Sequence, residues 1–175
     1  MARLFSYVVE HDLGFSPNPF GGYCTLAHCK FSKSGRRNIV ELAREDDWVV
    51  GTGGASSRSA GHGKLVYAMK VTNKLTLRQY FGEPQLRGRS DNREEDARIT
   101  KRFALISKDF YYFGDHALRI PARFARHPLE KKGPGFRSDF DESFIHDFEK
   151  WIRTKKPGVN GVPCGSQRSA RPKRC

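Results

Sequence analysis

No apolar run in the chain approaches the roughly 20 residues that span a bilayer, so no membrane helix is expected among its 175 residues. The opening stretch, MARLFSYVVEHDLG, has one Arg, a short apolar run, then acidic residues and no small-residue cleavage site. It reads as a first strand and not as a secretion signal, which makes a cytoplasmic location the expectation. Cysteine is scarce: Cys24, Cys29, Cys164 and Cys175 are too few for a disulfide framework in a chain this long, and reduced thiols are the simplest assignment. Catalytic signatures are missing as well. There is no G-x-G-x-x-G between a strand and a helix, no G-x-x-x-x-G-K-[ST], no H-E-x-x-H, no G-x-S-x-G and no paired-carboxylate signature, Asp46-Asp47 and Asp139/Asp141 reading as a turn and a helix start. A Rossmann fold would also need strands alternating with long helices, and that alternation is absent.

Acidic residues are missing from the C-terminal end. From Arg153 to Cys175 there are seven basic residues and no Asp or Glu. The whole chain carries +13, from 32 Lys and Arg against 19 Asp and Glu, and without those seven it is still basic. A polyanion is therefore the favoured partner of the folded part as well as of the tail, with nucleic acid or a nucleotide the leading candidate.

Aromatic residues are plentiful, at 12% with thirteen Phe, and a packed core is expected. The chain reads as one domain over residues 1–156, with a charged excursion at 86–102 and a basic, disordered tail at 157–175. Its centre is DDWVVGTGGASSRSAGHGKLVYAMKVT, residues 46–72: a strand from Trp48, a glycine-rich loop, and a strand over Leu65 to Val71. Leu4 to Val9 is the first strand. A turn-rich loop follows through Asn18-Pro19 and Gly21-Gly22, and Tyr23 to Lys30 is a strand or a short helix. Ile39, Leu42 and Ala43 show helical spacing, and Thr76 is placed to cap a brief helix. Phe103 to Ser107 and the run Phe110 to Phe113 extend the β layer. The clearest helix is last: Phe140, Phe144, Ile145, Phe148, Trp151 and Ile152 share one face, with Ser138 or Asp139 as cap. The fold class expected is α+β, a strongly curved, mostly antiparallel sheet or small PUA-like β-barrel with a few short helices and a C-terminal amphipathic helix.

Three constellations carry candidate chemistry. Cys24, His28 and Cys29 bring two thiols and an imidazole together, but Cys24 and Cys29 are poorly spaced for zinc and no second pair exists, so no metal or other cofactor is expected. The run Phe110-Tyr111-Tyr112-Phe113, followed by Gly114-Asp115-His116, offers flat rings for base stacking. Lys131, Lys132 and Arg137 precede the last helix, where a phosphate can seat.

The stretches NPFGGYCTLAHCK, DDWVVGTGG, KLVYAMKVT and LISKDFYYFGDHALRIP, in this order, make the chain resemble the nucleotide-modification-associated domains of the second type, from about Leu4 to Trp151. That resemblance implies an α+β domain of bacteria and phages, associated through gene neighbourhood with systems that modify bases or respond to modified ones. The family's shared positions fall on Asn18, Pro19, Phe20, Gly22, Cys24, Thr25, Cys29, Trp48, Gly51, Tyr111, Tyr112, Phe113 and Gly114. A likeness of pattern alone, to PUA and YTH readers of modified bases, implies a cage of Trp48 with one or two of Tyr111 to Phe113. The expected function is a nucleic-acid or nucleotide binding module, with the base between Trp48 and Tyr112 and the phosphate near the amides of Gly51, Thr52, Gly53 and Gly54, His62 and Arg137. One alternative is an enzyme of base or nucleotide modification using Cys24, His28 or Asp115; another is a scaffold subunit of a modification or defence complex.

Overall fold

The computed structural model describes residues 2–27, 38–99, 102–124 and 128–165. His28, Cys29 and Cys175 lie outside the described residues.

β1 (Leu4–Val9) and β3 (Trp48–Gly53) lie side by side in parallel, Leu4 opposite Trp48 and Val9 opposite Gly53. β3 then turns through the glycine-rich loop into antiparallel β4 (Lys64–Lys70). β4 pairs antiparallel with β7 (Asp109–Tyr112), and β7 pairs in parallel with the short β10 (Gly158–Val159). The two-residue strand β9 (Phe136–Arg137) adds antiparallel to the free edge of β1, and β8 (Leu118–Arg119) extends β4. A second, antiparallel sheet runs in the order β2 (Cys24–Leu26), β6 (Phe103–Ser107), β5 (Asn73–Thr76). Pairing is thus mostly antiparallel, with few helices, as the α+β expectation had it. Among the described residues the sheets stay open, and no barrel closes.

Both faces of the larger sheet are covered, which is why every residue of WVVGTG in β3 is buried. On one face Phe5, Tyr7, Val49, Met69 and Tyr112 meet Leu26 and Leu105 of the smaller sheet and the helix α1 (Ile39–Leu42). Asn38 caps α1, accepting from the Val40 amide. On the other face Leu4, Trp48, Val50, Ala68 and Tyr111 pack against Phe144, Phe148, Trp151 and Ile152 of α3 (Glu142–Arg153). The outer face of the smaller sheet is covered by Leu77 and Tyr80 of α2 (Leu77–Gly82), which Thr76 caps. No helix among the described residues is long and apolar enough to cross a membrane.

Three expectations are corrected. α3 starts later than Ser138 or Asp139 would place it, because Asp141 is the residue whose carboxylate accepts from the Phe144 amide, at 2.8 Å. Residues 157–165 are not a free tail: β10 pairs with β7, and the amides of Cys164 and Gly165 donate to the Asp12 side chain and carbonyl at 3.1 and 2.8 Å. Within the 86–102 segment the expected exposure holds only in part: Leu86 and Asp91 are buried, whereas Arg87, Gly88, Ser90, Arg93, Glu94 and Glu95 are exposed.

Burial also sets a pH limit on this fold. It pushes the Cys24 thiol well above its usual 9.0, the Tyr80 and Tyr112 hydroxyls above 10.0, and Cys164 up to about 12. Each group is neutral when protonated, so the folded state favours the protonated form. That stability is complete below the unfolded values and declines as pH rises past about 9. From neutral pH, denaturant unfolding should give steady stability up to about pH 8.5 and a fall above it, Cys24 alone contributing up to about 1.4 kcal/mol per pH unit. The Cys24→Ala variant should show a shallower fall; an unchanged slope would dismiss the thiol as a source.

Candidate nucleotide site

The loop after β1 doubles back on itself at Asn18, whose amide and carbonyl exchange hydrogen bonds of 2.9 Å with Thr25 of β2. The return passes through Gly21 and Gly22 at φ of 68° and 80°, a conformation that a side chain at either position would resist. The turn N-P-F-G-G is therefore set by its glycines, and it leaves the Phe20 ring 46% exposed.

Facing it is a second turn, Arg87-Gly88-Arg89-Ser90, bent at Gly88 with φ 75°. Asp91 lies under both turns with no exposed surface. Its carboxylate accepts from Thr25 Oγ1 and from Asn18 Nδ2, the latter at 3.0 Å. The Arg89 side chain is 8% exposed, and its Nε lies 3.4 Å from Asp91 Oδ1. One guanidinium nitrogen donates to the Asn18 carbonyl at 2.9 Å and to Thr25 Oγ1 at 3.1 Å, and the other donates to the Phe20 carbonyl. Asn92 ties the same segment to α2 by donating to the Tyr80 and Leu86 carbonyls at 3.0 and 2.7 Å. A buried ion pair with its remaining positions hydrogen-bonded thus holds two turns face to face.

Between them is a hollow of about 340 Å³ whose walls include Phe20, Gly21, Arg87, Gly88, Arg89 and Ser90. Arg87 is exposed and makes no ion pair among the described residues. The hollow offers a flat ring, an unneutralised guanidinium and backbone at glycines that can be approached closely.

Of the residues singled out in the sequence, Asn18, Phe20, Gly22 and Thr25 gather here. The others do not. Trp48 is 0% exposed beneath α3, its ring edge-on to Phe148 at 5.6 Å, whereas Tyr112 is buried on the opposite face of the sheet with its hydroxyl donating to Asp12 at 2.7 Å. The likeness to readers of modified bases implies one cage of these residues, but residues on opposite faces of a sheet cannot wall the same cavity. Tyr111 lies on the Trp48 side, its hydroxyl 3.4 Å from an Arg153 nitrogen that also binds Asp109.

Gly51, Thr52 and Gly53 are taken up by the ladders to β1 and β4, and the Gly54 amide donates to Ser59 Oγ at 2.7 Å. The glycines there serve close packing. A Cβ on Gly51 would collide with the Tyr67 ring, one on Gly53 with the Gly61 carbonyl, and one on Gly54 with the Glu10 carboxylate. His62 is directed to Glu130 at 2.8 Å, and Arg137 makes two hydrogen bonds to Asp139 and one to the Pro128 carbonyl. Asp141 itself occupies the N-terminal end of α3 where a phosphate was expected near Lys131, Lys132 and Arg137.

The candidate catalytic residues fare similarly. Cys24 is fully buried with its thiol held neutral, and Asp115 accepts from the Val162 amide at 2.9 Å. A buried, neutral thiol is a poor nucleophile. His28 lies outside the described residues, and no group of three or more metal-ligating side chains forms among the described residues.

A larger cleft, about 440 Å³, opens at the carboxyl end of β1 between Val8 to His11 and Gly133 to Gly135. Glu10 accepts there from the Ser56 amide at 3.1 Å, and His11 Nδ1 is 3.3 Å from Ser56 Oγ. Its aromatic member, Tyr7, is buried, and a carboxylate on the rim repels phosphate. The Phe20 hollow has the opposite character.

Neither a curated protein nor a solved structure matches the chain. A family model does, over residues 1–102 and 89–170, which together take in both turns of the hollow, the glycine-rich loop and α3. The chain belongs to the family described as nucleotide modification associated domain 2.

Proposed function

We propose that the protein binds a nucleotide, free or within a nucleic acid, in the hollow between the Phe20 and Arg87 turns, as part of base or nucleotide modification. The base stacks on Phe20, the phosphate lies against Arg87 and the Gly21 and Gly88 backbone, and the Arg89–Asp91 pair with Asn18 and Thr25 keeps the two walls apart at a fixed distance. The observation that carries this reading is an exposed ring and a guanidinium without an ion pair among the described residues, lining one hollow above the largely buried Arg89–Asp91 pair. A net charge of +13 favours the same class of ligand. Binding, and not catalysis, is the role these groups fit, because none of them is a nucleophile or a placed acid or base. The expected setting is the cytoplasm.

The test is titration of the purified protein with modified and unmodified nucleotides and short oligonucleotides. Phe20→Ala should weaken binding about 5- to 150-fold, the equivalent of the 1–3 kcal/mol that stacking contributes per base. Its melting temperature should stay at the parent's, since the ring is half in solvent. Wild-type affinity in Phe20→Ala would remove this hollow from consideration.

A further inference from the structure

Next to the Phe20 hollow is another of about 320 Å³, and Gln85 lines both. The second is bounded by Tyr23, Asn73, Glu83 and Lys108. The Tyr23 hydroxyl donates to Gln85 Oε1, so the side chains forming the partition hold each other in place. Phe20 and Tyr23 are separated along the chain only by Gly21 and Gly22, both left-handed, and this bend gives one ring to each hollow.

The charges repeat with the rings. Arg87 stands in the first hollow; in the second, Lys108 Nζ lies 5.5 Å from the centre of the Tyr23 ring and makes no ion pair among the described residues. Among the described residues, Glu83 is the one acid on this stretch of wall. A carboxylate repels a phosphate but accepts readily from the amino group of a base, and the Asn73 and Gln85 amides can pair with base edges. The second hollow therefore favours a base inside and a phosphate outside toward Lys108.

We propose that the two hollows form one track for two consecutive nucleotides of a single strand, the first on Phe20 and the second on Tyr23. Single strands are commonly read this way, with unstacked bases laid on aromatic side chains and their edges hydrogen-bonded. The proposal rests on the nucleotide reading of the first hollow and adds that the ligand is an oligonucleotide.

Affinities for a mononucleotide, a dinucleotide and a tetranucleotide of one base, measured for wild type, Phe20→Ala and Lys108→Ala, test it. The dinucleotide should bind about 5- to 150-fold tighter than the mononucleotide, from one further stacked base. The tetranucleotide should gain little more. Lys108→Ala should lower the ratio of dinucleotide to mononucleotide affinity by the lost phosphate contact, and Phe20→Ala should weaken both ligands. Equal affinity for the two shorter ligands would overturn the track while leaving a Phe20-dependent mononucleotide site standing. A ratio unaffected by Lys108→Ala would also overturn it. No binding of any ligand would overturn both readings.

Discussion

Asp91→Ala should lower the melting temperature by about 6–20 °C and abolish nucleotide binding. Asp91 has no exposed surface, and its carboxylate is shared by Thr25, Asn18 and Arg89. Truncation leaves a guanidinium that is 8% exposed without its counter-charge, and removing one member of such a pair typically costs about 3–5 kcal/mol. At this chain length each kcal/mol shifts the midpoint by about 2–4 °C. Binding should fail because nothing then holds the 18–25 turn against the 87–90 turn. Asp91→Asn should fall between the two, since its amide keeps one acceptor and adds a donor facing Arg89. Removing both charges together, as Arg89→Met with Asp91→Ala, should recover part of the stability without recovering binding. If Asp91→Ala melts within about 2 °C of the parent, no more than a surface change typically costs in a chain this long, the pair does not hold the two turns together.

The sequence foretold this site unevenly, for physical reasons. Asn18, Phe20, Gly22 and Thr25 were legible because Asn-Pro and Gly-Gly specify a turn locally. Arg89 and Asp91 were not, because LRGRSDNREEDARITKR has the composition of a solvated segment. What buries them is a partner about 65 to 75 residues earlier in the chain, invisible to any local pattern. Two arginines around a glycine, or a lone Asp between polar residues, give no signal by themselves. The first strand, the central hairpin and the amphipathic last helix were legible, since alternation and a 3.6-residue period are local properties. The parallel pairing of β1 with β3 was not, nor was the pairing of β10 at the far edge. Strand alternation says which residues share a face within one strand, but not which faces of two strands coincide. Trp48 and Tyr112 were misjudged for that reason. The glycines of the central loop were recognised as special, but the need they meet is contact with Tyr67, Gly61 and Glu10, and not with a ligand.

Trp48→Ala should reduce stability by about 3–5 kcal/mol, the usual cost of truncating a buried Trp, and leave the nucleotide affinity of the folded fraction unchanged. The indole is sealed between the sheet and α3. It meets Phe148 edge-on, has Phe124 and Trp151 in the same cluster, and carries the Arg153 guanidinium 5.5 Å from its ring centre. Arg153 is in turn fixed by both oxygens of Asp109, so loss of the ring would loosen the end of α3 against β7 as well as opening a cavity. Trp48→Phe should cost much less. It retains an aromatic face for Phe148, and it gives up no hydrogen bond because the buried indole Nε1 has no acceptor among the described residues. Denaturant unfolding of the two variants beside nucleotide titration separates the roles. Wild-type stability with weakened binding in Trp48→Ala would put the indole at the ligand and remove the argument for Phe20. A large loss of stability with unchanged affinity is what a residue on the far side of a doubly covered sheet requires.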